Sequence, residues 1–244
     1  MSRRTAARLV SCAVSCAVSC AVLALSSCSS DATTRGSMTD GSTGSGAGSS
    51  VVANAPVEGS AEAGFARDMS VHHAQAVAMA EAIRDRTADP DLKVLATNIA
   101  LGQQGQIGRM SGWLDEWGLD QTSTAPAMAW IRPDNLLSGT GGTGTSMAGM
   151  DMDGGMALLP DGRMPGMATR PEVTALGTLP IAAAEISFLQ LMITHHTAGV
   201  AMAQAVLARS SRPDVVRLAT SIVNGQQAEI ALMTNMLAKR GVTS

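Results

Sequence analysis

The sequence predicts an all-α fold, a four-helix bundle assembled from two copies of one helical hairpin. Three observations carry this. The chain aligns with itself at an offset of 123 residues, without a gap, over 65–118 and 188–241, and 23 of the 54 aligned pairs are identical. Average composition would give about three or four, and a repeat of this length is read before any local motif. Apolar residues in each copy recur at the spacing of one helix face. Each copy is interrupted once, at Asp89-Pro90 and at its counterpart Pro213, where proline suits the first turn of a following helix.

Residues 1–28 read as a leader. Arg3, Arg4 and Arg8 form a basic start, Leu9–Leu25 is apolar, and Leu25-Ser26-Ser27-Cys28 closes the run with small residues before a cysteine. The apolar run is short for a membrane span, and the three-part pattern is that of a secretory signal. It is similar to a bacterial lipoprotein signal, which implies Cys28 as the lipidated first residue of the mature chain. Cys12, Cys16 and Cys20 would leave with the leader, so no disulfide or thiolate site is expected afterwards. Residues 29–57 are Ser, Thr, Gly and Ala with few large apolar side chains, the composition of a flexible tether.

Removing three leader arginines from 17 basic residues leaves 14 against 20 acidic ones. That balance, with no basic patch interleaved with aromatics, excludes a nucleic-acid binder. The expected location is extracytoplasmic, held to the membrane by lipid.

The duplicated domain is expected over 60–241, with repeats at 62–118 and 185–241 and a connector at 119–179. From Glu62 to about Arg86, the residues Glu62, Phe65, Met69, His72, His73, Ala76, Met79, Ala80 and Ile83 share an arc of about 120° on a helix. A second helix runs to about Trp117, with Gly118 as its stop. Its inward stripe is Leu95, Ile99, Gln103, Gln106, Met110, Trp113 and Leu114. Two helices of roughly 25 residues, each about 37 Å long, cannot bury such stripes alone. Two hairpins related by a pseudo-twofold axis can.

The connector is long for a bundle and carries Met147, Met150, Met152, Met156, Met164 and Met167 among Gly and Asp. Thioethers on a flexible chain suit Cu(I) or Ag(I) as a weak site; equally, they suit an adaptable apolar cover for the bundle.

All four histidines of the chain stand in two His-His pairs, His72-His73 and His195-His196, at equivalent positions of the repeats. On a helix Met69 lies one turn from both His72 and His73, and Met192 stands likewise to His195 and His196. Met79 and Met202 follow two turns beyond the first histidine of each pair. Adjacent histidines diverge by about 100°, so one ring of each pair is expected inward and the other toward the partner hairpin. His and Met with a carboxylate form a donor set of mixed softness. Imidazole with thioether favours copper, and Glu62 and Glu185 would add hard oxygens. Gln103, Gln106, Met110, Gln226, Glu229 and Met233 are expected around these ligands, as further donors or as hydrogen-bond partners. The competing reading makes the methionines ordinary core and the histidines satisfied buried polar groups.

The repeated pattern resembles the bacterial family known as domain of unknown function 305. Its motif of acid, Phe, Met, His-His and Met matches Glu62, Phe65, Met69, His72-His73 and Met79, and again Glu185, Phe188, Met192, His195-His196 and Met202. The second-helix motif matches Gln103, Ile107, Met110 and Trp113-Leu114, and Gln226, Glu229-Ile230 and Met233. Pro165-Gly166-Met167-Ala168-Thr169-Arg170-Pro171-Glu172 resembles the segment between the family's repeats. The resemblance covers nearly all of 60–241 and implies a ferritin-like helical bundle. Two residues depart from the pattern: Gln106 stands for the usual Glu, and Met236 for Trp. If that Glu ligates, the first repeat would bind metal differently or not at all.

Some proteins similar to this family bind copper in the periplasm and confer copper tolerance, which implies copper, as Cu(I) or Cu(II), ahead of other metals. The expected function is therefore copper sequestration rather than catalysis. A non-metal scaffold or partner-binding bundle is the alternative. A di-metal oxidase would want Glu-x-x-His motifs, where this chain offers Met69-x-x-His72 and Met192-x-x-His195.

Overall fold

The computed structural model describes residues 54–131 and 156–242. The leader with Cys28, most of the tether, and Met147, Met150 and Met152 lie outside the described residues. Helix α1 spans Ala61–Arg84, α2 Pro90–Trp117, α3 Arg170–Leu176, α4 Ile181–Leu207 and α5 Pro213–Lys239, with a 3-10 turn at Ala129–Ile131. The described residues form no strand, and no helix among them is long and apolar enough to cross a membrane.

Local signals set the helix ends. Ser60 caps α1 by accepting from the Ala63 amide at 3.2 Å, and Asp89 caps α2 through the amides of Asp91 and Leu92. Pro90 and Pro213 stand in the first turns of α2 and α5. Gly118 ends α2 at φ 69°, a left-handed conformation that favours a residue without Cβ. Two boundaries differ from expectation. Helix α4 starts at Ile181, ahead of the repeat boundary at 185, and the connector contains α3. Thr169 and Glu172 form a capping box at the start of α3, a signal present in the sequence as Thr-x-x-Glu.

Helix α1 packs along α2, and α4 along α5; the two hairpins meet through α1 and α4, whereas α2 and α5 make no comparable contact. Two apolar half-cores result. One gathers Phe65, Met69, Met110 and Trp113 with Met202, Val206 and Leu218. The other gathers Met79, Ile83, Leu92 and Ile99 with Phe188, Met192 and Met233. Each half-core takes residues from both repeats, so each hairpin completes the other's burial. Between the half-cores lies a layer of buried polar side chains.

The connector starts by packing on α1. Trp130 sits where a Cβ on Gly64 would fall, 2.3 Å from its Cδ1, and meets Phe65 edge to face at 6.1 Å. The Asp68 carboxylate accepts from the Met128 amide at 2.7 Å and from Trp130 Nε1 at 2.8 Å. Buried Arg67 forks onto Glu58 at 2.7 Å and donates to the Asp120 carbonyl at 2.8 Å. Met164 is buried, and Met156 and Met167 pack against the same half-core. These three connector methionines therefore lie against the bundle core.

Candidate metal centre

The polar layer is built by the two His-His pairs. His72 and His73 on α1, and His195 and His196 on α4, are all 0% exposed. The rings of His72 and His195 stack across the hairpin interface, with centroids 3.7 Å apart and planes at 30°. One ring of each pair thus meets the partner hairpin, as expected, and it is the first; the second stays within its own hairpin. His73 Nε2 lies 2.7 Å from Gln106 Oε1, and His196 Nε2 lies 2.7 Å from Glu229 Oε2. Gln106 and Glu229 thus hold the outer rings, as partners rather than at a distance. Gln103 and Gln226 are buried in the same layer, and a Cβ on Gly199 would fall 2.4 Å from Gln226 Oε1, so Gln226 reaches the layer over that glycine.

Burial disfavours charge on these rings. It lowers His72 to about 4, against the pull of the Pro165 carbonyl. It lowers His73 to about 3, helped by repulsion from His72. Burial again, followed by repulsion from the other three rings, holds His195 well below the usual histidine range. These three rings are neutral at pH 7, the form in which imidazole ligates metal.

The layer is short of hydrogen bonds. Nδ1 of His73 and of His196 and the side-chain amide atoms of Gln103 and Gln226 are buried without a partner, and the ring nitrogens of His72 and His195, which face the backbone of Pro165 and of His72, make no well-aligned hydrogen bond. A buried polar atom left unpaired costs about 1–3 kcal/mol, and native proteins rarely collect them in one place. The sulfur donors flank the layer. Met69, Met110 and Met202 lie in one half-core, and Met79, Met192 and Met233 in the other. Met69 and Met192 stand one turn from the histidines, while Met79 and Met202 stand about 10 Å further along the helix axis.

Two expected ligands are misplaced. Glu62 and Glu185 precede His72 and His195 by ten residues, about 15 Å along the helix. Glu185 accepts from Thr87 Oγ1 at 2.6 Å and pairs with Arg240 at 3.0 Å. Angular position put the glutamates on the histidine face, but axial rise removes them from the histidine layer. Among the described residues no three His, Cys, Asp or Glu side chains converge as a ready metal cage. The donor chemistry fits a soft or borderline cation through imidazole nitrogens, with thioethers and amide oxygens beside them. The two central rings stack rather than aim their nitrogens at one point.

The connector closes one side of the layer. Gly166, at φ 75°, sits so near α4 that a Cβ would fall 2.5 Å from Ala198 Cβ and 2.8 Å from the Thr194 carbonyl. Gln75 on α1 clamps the backbone of Ala168, donating to its carbonyl at 2.9 Å and accepting from its amide at 2.7 Å. Gln75 carries no recognisable signal; the Pro165–Glu172 segment stood out in the sequence only through its resemblance to the family's inter-repeat stretch. On the α2/α5 side, a cleft of about 60 Å³ is lined by Gln103, Gln106, Gln226 and Glu229, with Gly102 and Gly225. A larger cavity of about 330 Å³ lies against the first half of α1, between Arg67, Asp68, Pro126 and Trp130, and contains none of the histidines.

Fold and site together define a bundle of two repeated helical hairpins sharing one buried histidine layer. The chain belongs to the family described as Domain of unknown function (DUF305), whose profile matches residues 62–237. It is similar to a DUF305 protein from Streptomyces coelicolor thought to be secreted, with 42% identity, 77% of this chain and 98% of that one covered, and a TM-score of 0.62. A DUF305 fragment from Deinococcus radiodurans is 32% identical, with 73% and 96% covered and a TM-score of 0.54. CopM in a silver-bound form is 21% identical, with 73% and 95% covered and a TM-score of 0.50, a likeness of fold alone. An uncharacterized protein, L153, of Acanthamoeba polyphaga mimivirus is 42% identical over 52 residues, and the match spans only 34% of its length.

Proposed function

We propose that this chain is an extracytoplasmic, lipid-anchored metal-binding protein that sequesters copper at its histidine layer. The observation that carries the reading is the set of unpartnered ring nitrogens at the centre of a two-repeat core. A scaffold histidine is expected to be satisfied by hydrogen bonds at its buried nitrogens; here Nδ1 of His73 and of His196 has none, and His72 and His195 have no well-aligned one. Cations taken up by the two halves of the layer, through His72 with Nδ1 of His73 and through His195 with Nδ1 of His196, would satisfy them, with Met69 and Met192 as the nearest thioethers in sequence. Copper ranks first because imidazole and thioether together suit it in both oxidation states. The lipid anchor rests on the leader ending at Cys28, and the secreted character of the Streptomyces relative supports the compartment. No catalytic role is assigned, because ferritin-like oxidation draws on carboxylates, and Glu229 is the carboxylate that meets a histidine here.

Metal content of the full chain, purified in detergent and loaded anaerobically with Cu(I), tests this. One or more coppers retained per chain after desalting, and lost in His72→Ala/His195→Ala, is the expected result. Copper retained by that variant would move the site to the connector methionines. Copper absent from both proteins would leave the scaffold as the function.

A further inference from the structure

The two outer histidines are held by chemically different partners, Gln106 in the first repeat and Glu229 in the second, at the same 2.7 Å distance. A carboxylate can only accept, so Glu229 requires a proton on His196 Nε2 and selects the tautomer whose lone pair lies on Nδ1. That Nδ1 is buried and unpartnered. Gln106 offers an acceptor oxygen or, with its amide turned, a donor nitrogen, so it does not impose one tautomer on His73. Glu229 also supplies a formal negative charge, and its side chain, 28% exposed, lines the cleft between α2 and α5. A carboxylate on the far nitrogen of a ligating imidazole raises its basicity and fixes its orientation.

We propose that the two halves of the histidine layer are inequivalent, and that Glu229 makes the second repeat's half take a soft monovalent cation first. This rests on the metal-binding reading above and adds an order to it. Glu229 acts through His196 as a positioning residue. The Gln106 half fills later and more weakly, and a single substitution, Gln106→Glu, would restore the symmetry that the repeat otherwise has.

The test is a titration of the full chain in detergent with Ag(I), a diamagnetic probe, followed by the ring ¹⁵N resonances of the four histidines. Before silver, His196 should show one tautomer, protonated at Nε2. During the first equivalent His196 Nδ1 should shift ahead of His73 Nδ1. In competition with a chelator, Glu229→Gln, which keeps an acceptor oxygen and removes the charge, should weaken the first site by about 10–100-fold and abolish the order. Gln106→Glu should bring His73 level with His196. Equal shifts of both rings in the unaltered protein, or an affinity and order unchanged by Glu229→Gln, overturn the proposal while leaving metal binding intact. No silver bound at all overturns both.

Discussion

Acid should destabilise the metal-free protein through its histidines before the ion-paired carboxylates give up their contribution. His72, His73 and His195 are neutral in the folded chain because burial depresses their affinity for a proton. Above the ordinary value of 6.5 they are neutral in both states and contribute no pH dependence. Below it the unfolded chain takes up protons that the folded chain cannot, so stability falls as the pH falls. The loss continues to about 4 for His72 and about 3 for His73. At pH 5 His72 and His73 have each lost about 2 kcal/mol. Together they lose about 4 kcal/mol, a large part of the stability of an ordinary domain, and His195 acts in the same direction.

The window between pH 6.5 and 5 isolates this effect. Carboxyl groups lowered by their partners, such as Glu58 beside Arg67 and Asp89 beside Arg240, give up their contribution only at lower pH. Burial pushes the Asp68 carboxyl up, which has the opposite sign. Urea denaturation at stepped pH measures the slope, expected to be at least roughly 2.5 kcal/mol per pH unit near pH 5 from His72 and His73. In His72→Gln/His195→Gln the slope should fall to about that of one proton, roughly 1.4 kcal/mol per pH unit. A slope below one proton in the unaltered chain would refute the claim that these rings are folded as neutral groups.

Two further outcomes follow from the packing. Gly166→Ala places a Cβ 2.5 Å from Ala198 at a positive φ; it should cost about 1–3 kcal/mol, lowering the melting temperature by roughly 2–4 °C per kcal/mol. An unchanged melt would show that Pro165–Met167 does not seat against α4. Met69→Leu/Met192→Leu conserves core volume and should change stability by less than about 1.5 kcal/mol, while weakening copper retention at equilibrium dialysis. Retention equal to that of the unaltered chain would make both methionines core residues and leave ligation to the imidazoles.

Much of this architecture was legible from residue order alone. The gapless repeat, the helix breaks at Pro90 and Pro213, the stop at Gly118, and the inward face bearing Phe65, Met69 and His72 all depend on local preference and on angle about a helix axis. Those quantities are encoded within a few residues. The same reasoning placed Glu62 and Glu185 with the histidines, because it read angle and ignored the 1.5 Å rise per residue.

What tertiary structure decided is how elements meet. The His72–His195 stack depends on the point where α1 and α4 cross, which neither helix specifies by itself. That Met69 and Met202 share one half-core, and Met79 and Met192 the other, follows from the same crossing. Trp130 over Gly64, Gln75 on Ala168 and Gly166 against Thr194 join residues far apart in sequence, through irregular backbone that has no period to read. The sequence determined which chemistry lies on the inner face; the crossing of two helices determined that four imidazoles share one buried layer with too few partners.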